Sequence, residues 1–206
     1  MPDLLNNQWL NIFGAAVFAL SGALEARRKG MDVFGATVVS LVTALGGGTL
    51  RDLLLQHGAV FWVADPVPVI AVTLTALATF FAWHPLPRTF GRMLLVADAA
   101  GLAVLTILGE QKALAAGVSP VVALVMGIIT GVAGGILRDI LCNEIPLVLR
   151  REIYATAAAV GGLLFLGLRA LHMGGALPAL LAVATVFIVR LIALRLNLSL
   201  PRSSAT

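Results

Sequence analysis

Residues 47–54, GGTLRDLL, return at 134–141 as GGILRDIL, 87 positions later. The same step, taken without a gap, sets Gly14 on Gly101, Gly22 on Gly109, Gly30 on Gly117, Thr43 on Thr130 and Asp65 on Glu152. A chain of 206 residues that echoes itself over such a length is built twice from one unit. What the unit is follows from its apolar runs. A helix rising 1.5 Å per residue needs about 20 residues to cross a bilayer core. Apolar windows of about this length fall at about 8–26, 33–56, 67–83, 91–109, 118–142, 153–169 and 176–196.

Composition supports a lipid solvent, since 60% of the residues are hydrophobic and 12% charged, against about a quarter charged in a soluble domain. The sequence therefore predicts an all-α membrane protein with seven transmembrane helices. One membrane domain covers 1–206: repeat one over about 8–83, repeat two over about 95–170, and a seventh helix over about 176–196. Three spans per unit is an odd number, so the second copy enters the membrane from the opposite side. The repeats are then inverted about a pseudo-two-fold axis in the membrane plane, and pathways in such folds form at the repeat interface near the midplane. The leader MPDLLNNQW lacks the basic stretch of a cleavable signal, and the first span is expected to remain.

The net charge of +4 is distributed by loop. Arg27, Arg28 and Lys29 follow the first span, Arg88 and Arg92 the third, Arg150 and Arg151 the fifth, Arg195 and Arg202 the seventh, while the alternate loops carry Lys112 and Arg169. The positive-inside rule puts the N-terminus outside and the C-terminus in the cytoplasm. Such charges mark topology and meet anionic lipid heads rather than nucleic acid. Cys142, the one cysteine, excludes an internal disulfide and a cysteine metal site.

The repeated motif lies in the second and fifth spans. Gly46, Gly47 and Gly48 fall at the midplane, and Gly131, Gly134 and Gly135 do the same in the other copy. Arg138 and Asp139 lie about 12 Å further towards the cytoplasm, and Arg51 and Asp52 a similar distance towards the outside. Two readings of the glycines stand: close helix packing, which small residues four apart favour in lipid, or bending and unwinding that frees carbonyls towards a hydrated path. Packing alone does not explain why they recur beside ionisable residues, which are costly at membrane depth and need partners inside the bundle.

Adjacent helical positions point about 100° apart, which predicts that Arg51 and Asp52 do not satisfy each other. Candidate partners are freed carbonyls, Asp98 in the fourth span and its repeat-mate Asn11 in the first. Locking of the bundle, or snorkelling to an interface, is the competing reading of the four charges. Thr43, Thr49 and Thr130 either line a wet path or bond their own helix carbonyls. Arg190, near the end of the last span, is expected to snorkel to the cytoplasmic surface.

Enzyme readings find little. GGGTLRD lacks the Lys-Ser/Thr ending of a phosphate loop, and His57, His84 and His172 lie in separate loops without ligand spacing. No nucleophile has a base nearby, and neither a catalytic residue, a metal site nor a cofactor is predicted.

The paired GGGTLRD and GGILRDILCNEIP motifs, with the duplicated three-span units, resemble the bacterial branch of the trimeric intracellular cation (TRIC) channel family, also catalogued as a glycine-transporter-type family. The resemblance runs from 8 to 196. It implies a homotrimer in a bacterial-type inner membrane with a pore in each protomer between glycine-kinked second and fifth spans, conducting monovalent cations such as K⁺ or Na⁺. Its pore residues, carried over by motif, are Gly46, Gly47, Gly48, Thr49, Arg51 and Asp52, with Gly134, Gly135, Arg138 and Asp139. Ala133 replaces the mate of Gly46, shortening the second glycine run. The lysine-containing lipid motif of animal members is not evident, so their phosphoinositide regulation is not carried over. The alternative is transport of glycine or another small zwitterion, whose carboxylate suits an arginine and whose ammonium suits an aspartate.

Overall fold

The computed structural model describes residues 8–56, 58–82, 90–150 and 153–196. Arg88, Arg151, Glu152, Arg202, His57, His84 and residues 1–7 of the leader lie outside them. The order is α1 (Gln8–Arg28), α2 (Val33–Leu55), α3 (Phe61–Ala64), α4 (Val67–Ala82), α5 (Phe90–Ala115), α6 (Pro120–Leu141), α7 (Leu147–Arg150), α8 (Ala155–Ala170) and α9 (Leu177–Leu196). Five of these, α1, α2, α5, α6 and α9, are long and apolar enough to cross a membrane; α4 and α8 are shorter apolar helices. The four-residue α3 and α7 were not foreseen, being too short to show a period.

Local chemistry sets the ends. Asp32 caps α2 by accepting from Gly35 N at 2.7 Å, and Ser119, 87 positions on, caps α6 from Val122 N with Pro120 behind it. A polar side chain there satisfies an otherwise orphaned N–H. Left-handed residues follow α2 and α6 at the matched positions Gln56 and Asn143, while the turns after α1 and α5 use Gly30 at φ +72° and Gly117 at φ +82°. Only glycine enters that region without strain. Lys112 belongs to α5 rather than to a loop, because that helix runs on to Ala115.

The helices α1, α2 and α4 pack together, as do α5, α6 and α8. The two groups join through α1 against α5 and α2 against α6, and α9 covers α5 and α8. Gly14 receives Leu105 of α5, and the matched Gly101 receives Phe18 of α1. The deepest core gathers Phe18, Ala19, Ala44, Leu45 and Leu105 on one side, and Leu102, Tyr154, Ala157 and Val186 on the other.

Candidate functional site: buried arginine pairs across a helix crossing

α2 and α6 are continuous helices through all of their glycines. The expected unwinding is therefore absent, and no carbonyl is released by a break. What the glycines permit is contact. A Cβ on Gly47 would collide with the carbonyl oxygen of Thr130, and one on Gly134 with that of Thr43. The two backbones meet twice, reciprocally, at positions related by the repeat. Gly46 faces Leu137, Gly48 the Phe61 ring, Gly131 the Thr106 hydroxyl and Leu102, and Gly135 the Tyr154 hydroxyl. Thr43 and Thr130 turn their hydroxyls back to Val39 O and Met126 O, both at 2.6 Å. Thr49 does the same to Leu45 O and accepts from Trp62 Nε1 at 2.9 Å.

On either side of this crossing lies a buried Arg-Asp pair, and here the 100° argument fails. Arg51 Nε donates to Asp52 Oδ1 at 2.8 Å, and Arg138 Nε to Asp139 Oδ1 at 2.9 Å. The rule governs Cβ directions, whereas the arginine stem is long enough to fold back round the helix. The second oxygen of each aspartate has its own task. Asp52 Oδ2 accepts from Phe61 N, the first residue of α3, at 2.9 Å; Asp139 Oδ2 accepts from Leu147 N, the first of α7, at 2.8 Å. Neither arginine snorkels, with 3% of Arg51 and none of Arg138 exposed.

The two pairs differ in their surroundings. Arg138 Nη1 also donates to Asp98 Oδ1 at 2.7 Å and to Ser21 Oγ at 3.1 Å. The Tyr154 hydroxyl donates to the same Asp98 oxygen at 3.2 Å. One guanidinium thus meets two carboxylates. Arg51 has only Asp52 as an ion-pair partner among the described residues. Its guanidinium lies 5.8 Å from the Phe61 ring centroid, and Lys112 Nζ lies 5.1 Å from the same ring. Asn11, the mate of Asp98, lines a small void with Gly48, Arg51, Phe61 and Thr130. That void holds only about 10 Å³. Beside Arg138 and Asp139, in contrast, a cavity of about 420 Å³ opens, lined also by Glu25, Arg28, Arg92 and Glu144.

Arg190 corrects another expectation. It is 1% exposed, stacks over Tyr154 at 4.7 Å and donates to Ile153 O at 3.2 Å. Its position, five residues short of Arg195, places it inside the bundle rather than at the surface. Ser21, Phe61, Lys112, Tyr154 and Arg190 were missed as members of the site. Tyr154, the only tyrosine in the chain, offered the one sequence signal, a phenol in an apolar stretch. Among the described residues no group of three or more His, Cys, Asp or Glu is arranged to hold a metal.

The family model described as glycine transporter matches residues 8–84 and 95–170. The fold superposes on the TRIC trimeric intracellular cation channel orthologue from Rhodobacter sphaeroides with a TM-score of 0.88 at 43% identity, covering 92% of this chain and 97% of that one. The chain belongs to the bacterial TRIC family. A further TRIC structure, solved as a prokaryotic channel in 0.5 M KCl, matches with a TM-score of 0.87 at 29% identity over 92% of this chain and 96% of its own. Among relatives known by sequence, the UPF0126 inner membrane protein YadS of Escherichia coli is 44% identical over 197 residues, 94% of each chain. A UPF0126 membrane protein of Vibrio cholerae is 42% identical over 96% of this chain and 82% of its own. The two segments matched by the family model begin 87 residues apart, the step between the two TRIC motifs.

Proposed function

We propose that the protein is a cation channel of the inner membrane, with one conduction path through each protomer of a trimer. The membrane topology in this reading is seven crossings, α1, α2, α4, α5, α6, α8 and α9, with 8–83 and 95–170 as inverted repeats. The matched caps, matched left-handed residues and reciprocal glycine seats support it. The N-terminus is outside and the C-terminus cytoplasmic, so the cavity of about 420 Å³ opens towards the cytoplasm.

The observation that carries the reading is the placement of two buried Arg-Asp pairs on either side of the α2–α6 crossing, one of them bordering that cavity. A cation entering from the cavity meets Arg138 already offset by Asp98 and Asp139, a cluster with one more acid than base. It then faces the crossing, where Gly47 sits against the Thr130 carbonyl and Gly134 against that of Thr43 with no room for a methyl group. In this reading the crossing is the closed point of the path. Beyond it, Arg51 with Asp52 and nearby Lys112 form a less compensated cluster, which opposes cations more strongly, since charge in a poorly screened path acts over its whole width. The relatives named as TRIC cation channels support this reading, and K⁺ is the ion proposed.

Glycine transport is the second reading, favoured by the same pairs, whose opposite charges suit a zwitterion. Planar-bilayer recording of the purified protein in a K⁺ gradient separates the two. Discrete single-channel currents are expected. Silent bilayers combined with saturable glycine uptake into proteoliposomes would replace the channel by a carrier.

A further inference from the structure

Along α5, residues Asp98, Leu102, Thr106 and Glu110 recur every fourth position and form one stripe. Against it, α6 sets Gly127, Gly131 and Gly135: Gly127 meets Thr106 O and Glu110 Cβ, Gly131 the Thr106 hydroxyl, Gly135 the neighbourhood of Asp98. The stripe ends in a group that the proposed path does not use. Glu110 has no exposed surface, and neither carboxyl oxygen has a hydrogen-bond partner. Its Oε2 lies over the bare backbone of Gly162 in α8, beside Leu124 of α6.

The first repeat supplies an internal control. Its corresponding stripe reads Asn11, Ala15, Ala19 and Ala23, and Ala23 is as fully buried as Glu110. The fold therefore accepts a methyl group at this place, and packing does not require an acid. Among the described residues no donor reaches either Glu110 carboxyl oxygen. On α6, Arg138 and Asp139 are engaged with Asp98 and α7; on α8, Arg169 lies in the last turn. Arg190 of α9 lies over Tyr154, and Lys112 of α5 over Phe61.

Among the described residues a carboxylate in such a setting has no donor to offset its lost hydration, whereas the neutral acid avoids most of that cost. We propose that Glu110 is a proton-binding site at the junction of α5, α6 and α8, occupied while these helices are packed and emptied to water only when the seam parts. The proposal does not depend on what crosses the membrane through the α2–α6 path.

The test uses the purified full-length protein. Infrared spectra at neutral pH should contain a carboxylic-acid carbonyl band that is lost in Glu110→Gln. A hydrophobic carbodiimide, which attacks protonated buried carboxyls, should label the Glu110 peptide, with labelling lost in the variant. Glu110→Ala, copying Ala23, serves as a second variant if the amide does not fold. No band difference between wild type and variant, together with carbodiimide labelling that persists in the variant, would overturn the assignment.

Discussion

Removing the Asp98 carboxylate leaves Arg138 with Asp139 as its one acidic partner and strands a buried guanidinium arm. Breaking a buried ion pair from one side costs about 3–5 kcal/mol. Asp98→Asn is expected near the lower end, because Asp139 remains, and the unfolding midpoint of the purified protein measures it. Tyr154→Phe deletes a single hydrogen bond to the same oxygen and should cost about 1 kcal/mol. Asn11→Asp is the converse change, giving Arg51 the acid that Arg138 already has. A unit charge about 8 Å away at an effective dielectric constant of about 20 shifts a cation by about 2 kcal/mol. The variant should raise single-channel K⁺ current several-fold if Arg51 limits entry, and an unchanged current would remove Arg51 from the path. Asp98 was legible as a partner because a lone acid in an apolar span has few other uses. The folded-back arginines were not, since spacing encodes the direction of Cβ and not the reach of a long side chain. Glu110 escaped notice because its isolation is a property of three helices at once.

The crossing of α2 and α6 belongs to the next scale. Its glycines are seats for another backbone, and the reciprocal contacts of Gly47 with Thr130 and Gly134 with Thr43 leave no room for a methyl group. Gly47→Ala and Gly134→Ala should each cost about 1–3 kcal/mol of stability, the usual range for overpacking, read by thermal unfolding in detergent. Gly47→Leu and Gly134→Leu should abolish ion flux in proteoliposomes even where the protein inserts; intact flux would show that the crossing does not lie on the path. The long helices were legible within a few residues from the apolar windows, and α5 overran its window because Glu110, Lys112 and Ala113 continue the helix. Four-residue helices such as α3 and α7 carry too few positions for a pattern, and their first N–H groups are fixed by aspartates eight or nine residues away.

For the whole molecule, caps at Asp32 and Ser119 and left-handed residues at Gln56 and Asn143 recur at the 87-residue step of the sequence and support the proposed two-part build. Subunit number has no such signature in one chain. Light scattering or native mass spectrometry of the purified protein should give three copies, and a monomer that still conducts would separate the path from the assembly. A fluorescent protein fused to the C-terminus should mature in the cytoplasm, while alkaline phosphatase fused there stays inactive; the opposite pattern would turn the cavity of about 420 Å³ to the outside.

Asp52 and Asp139 are each bound to a backbone N–H as well as to their arginine. Each acid is thereby held at two points, by its arginine and by the first N–H of a short helix. On the channel reading, each pair is an arm folded over a fixed post, where its charges offset each other. On that same reading, an agent that tugs α3 or α7 away from its aspartate loosens the post and acts as a hand on the latch.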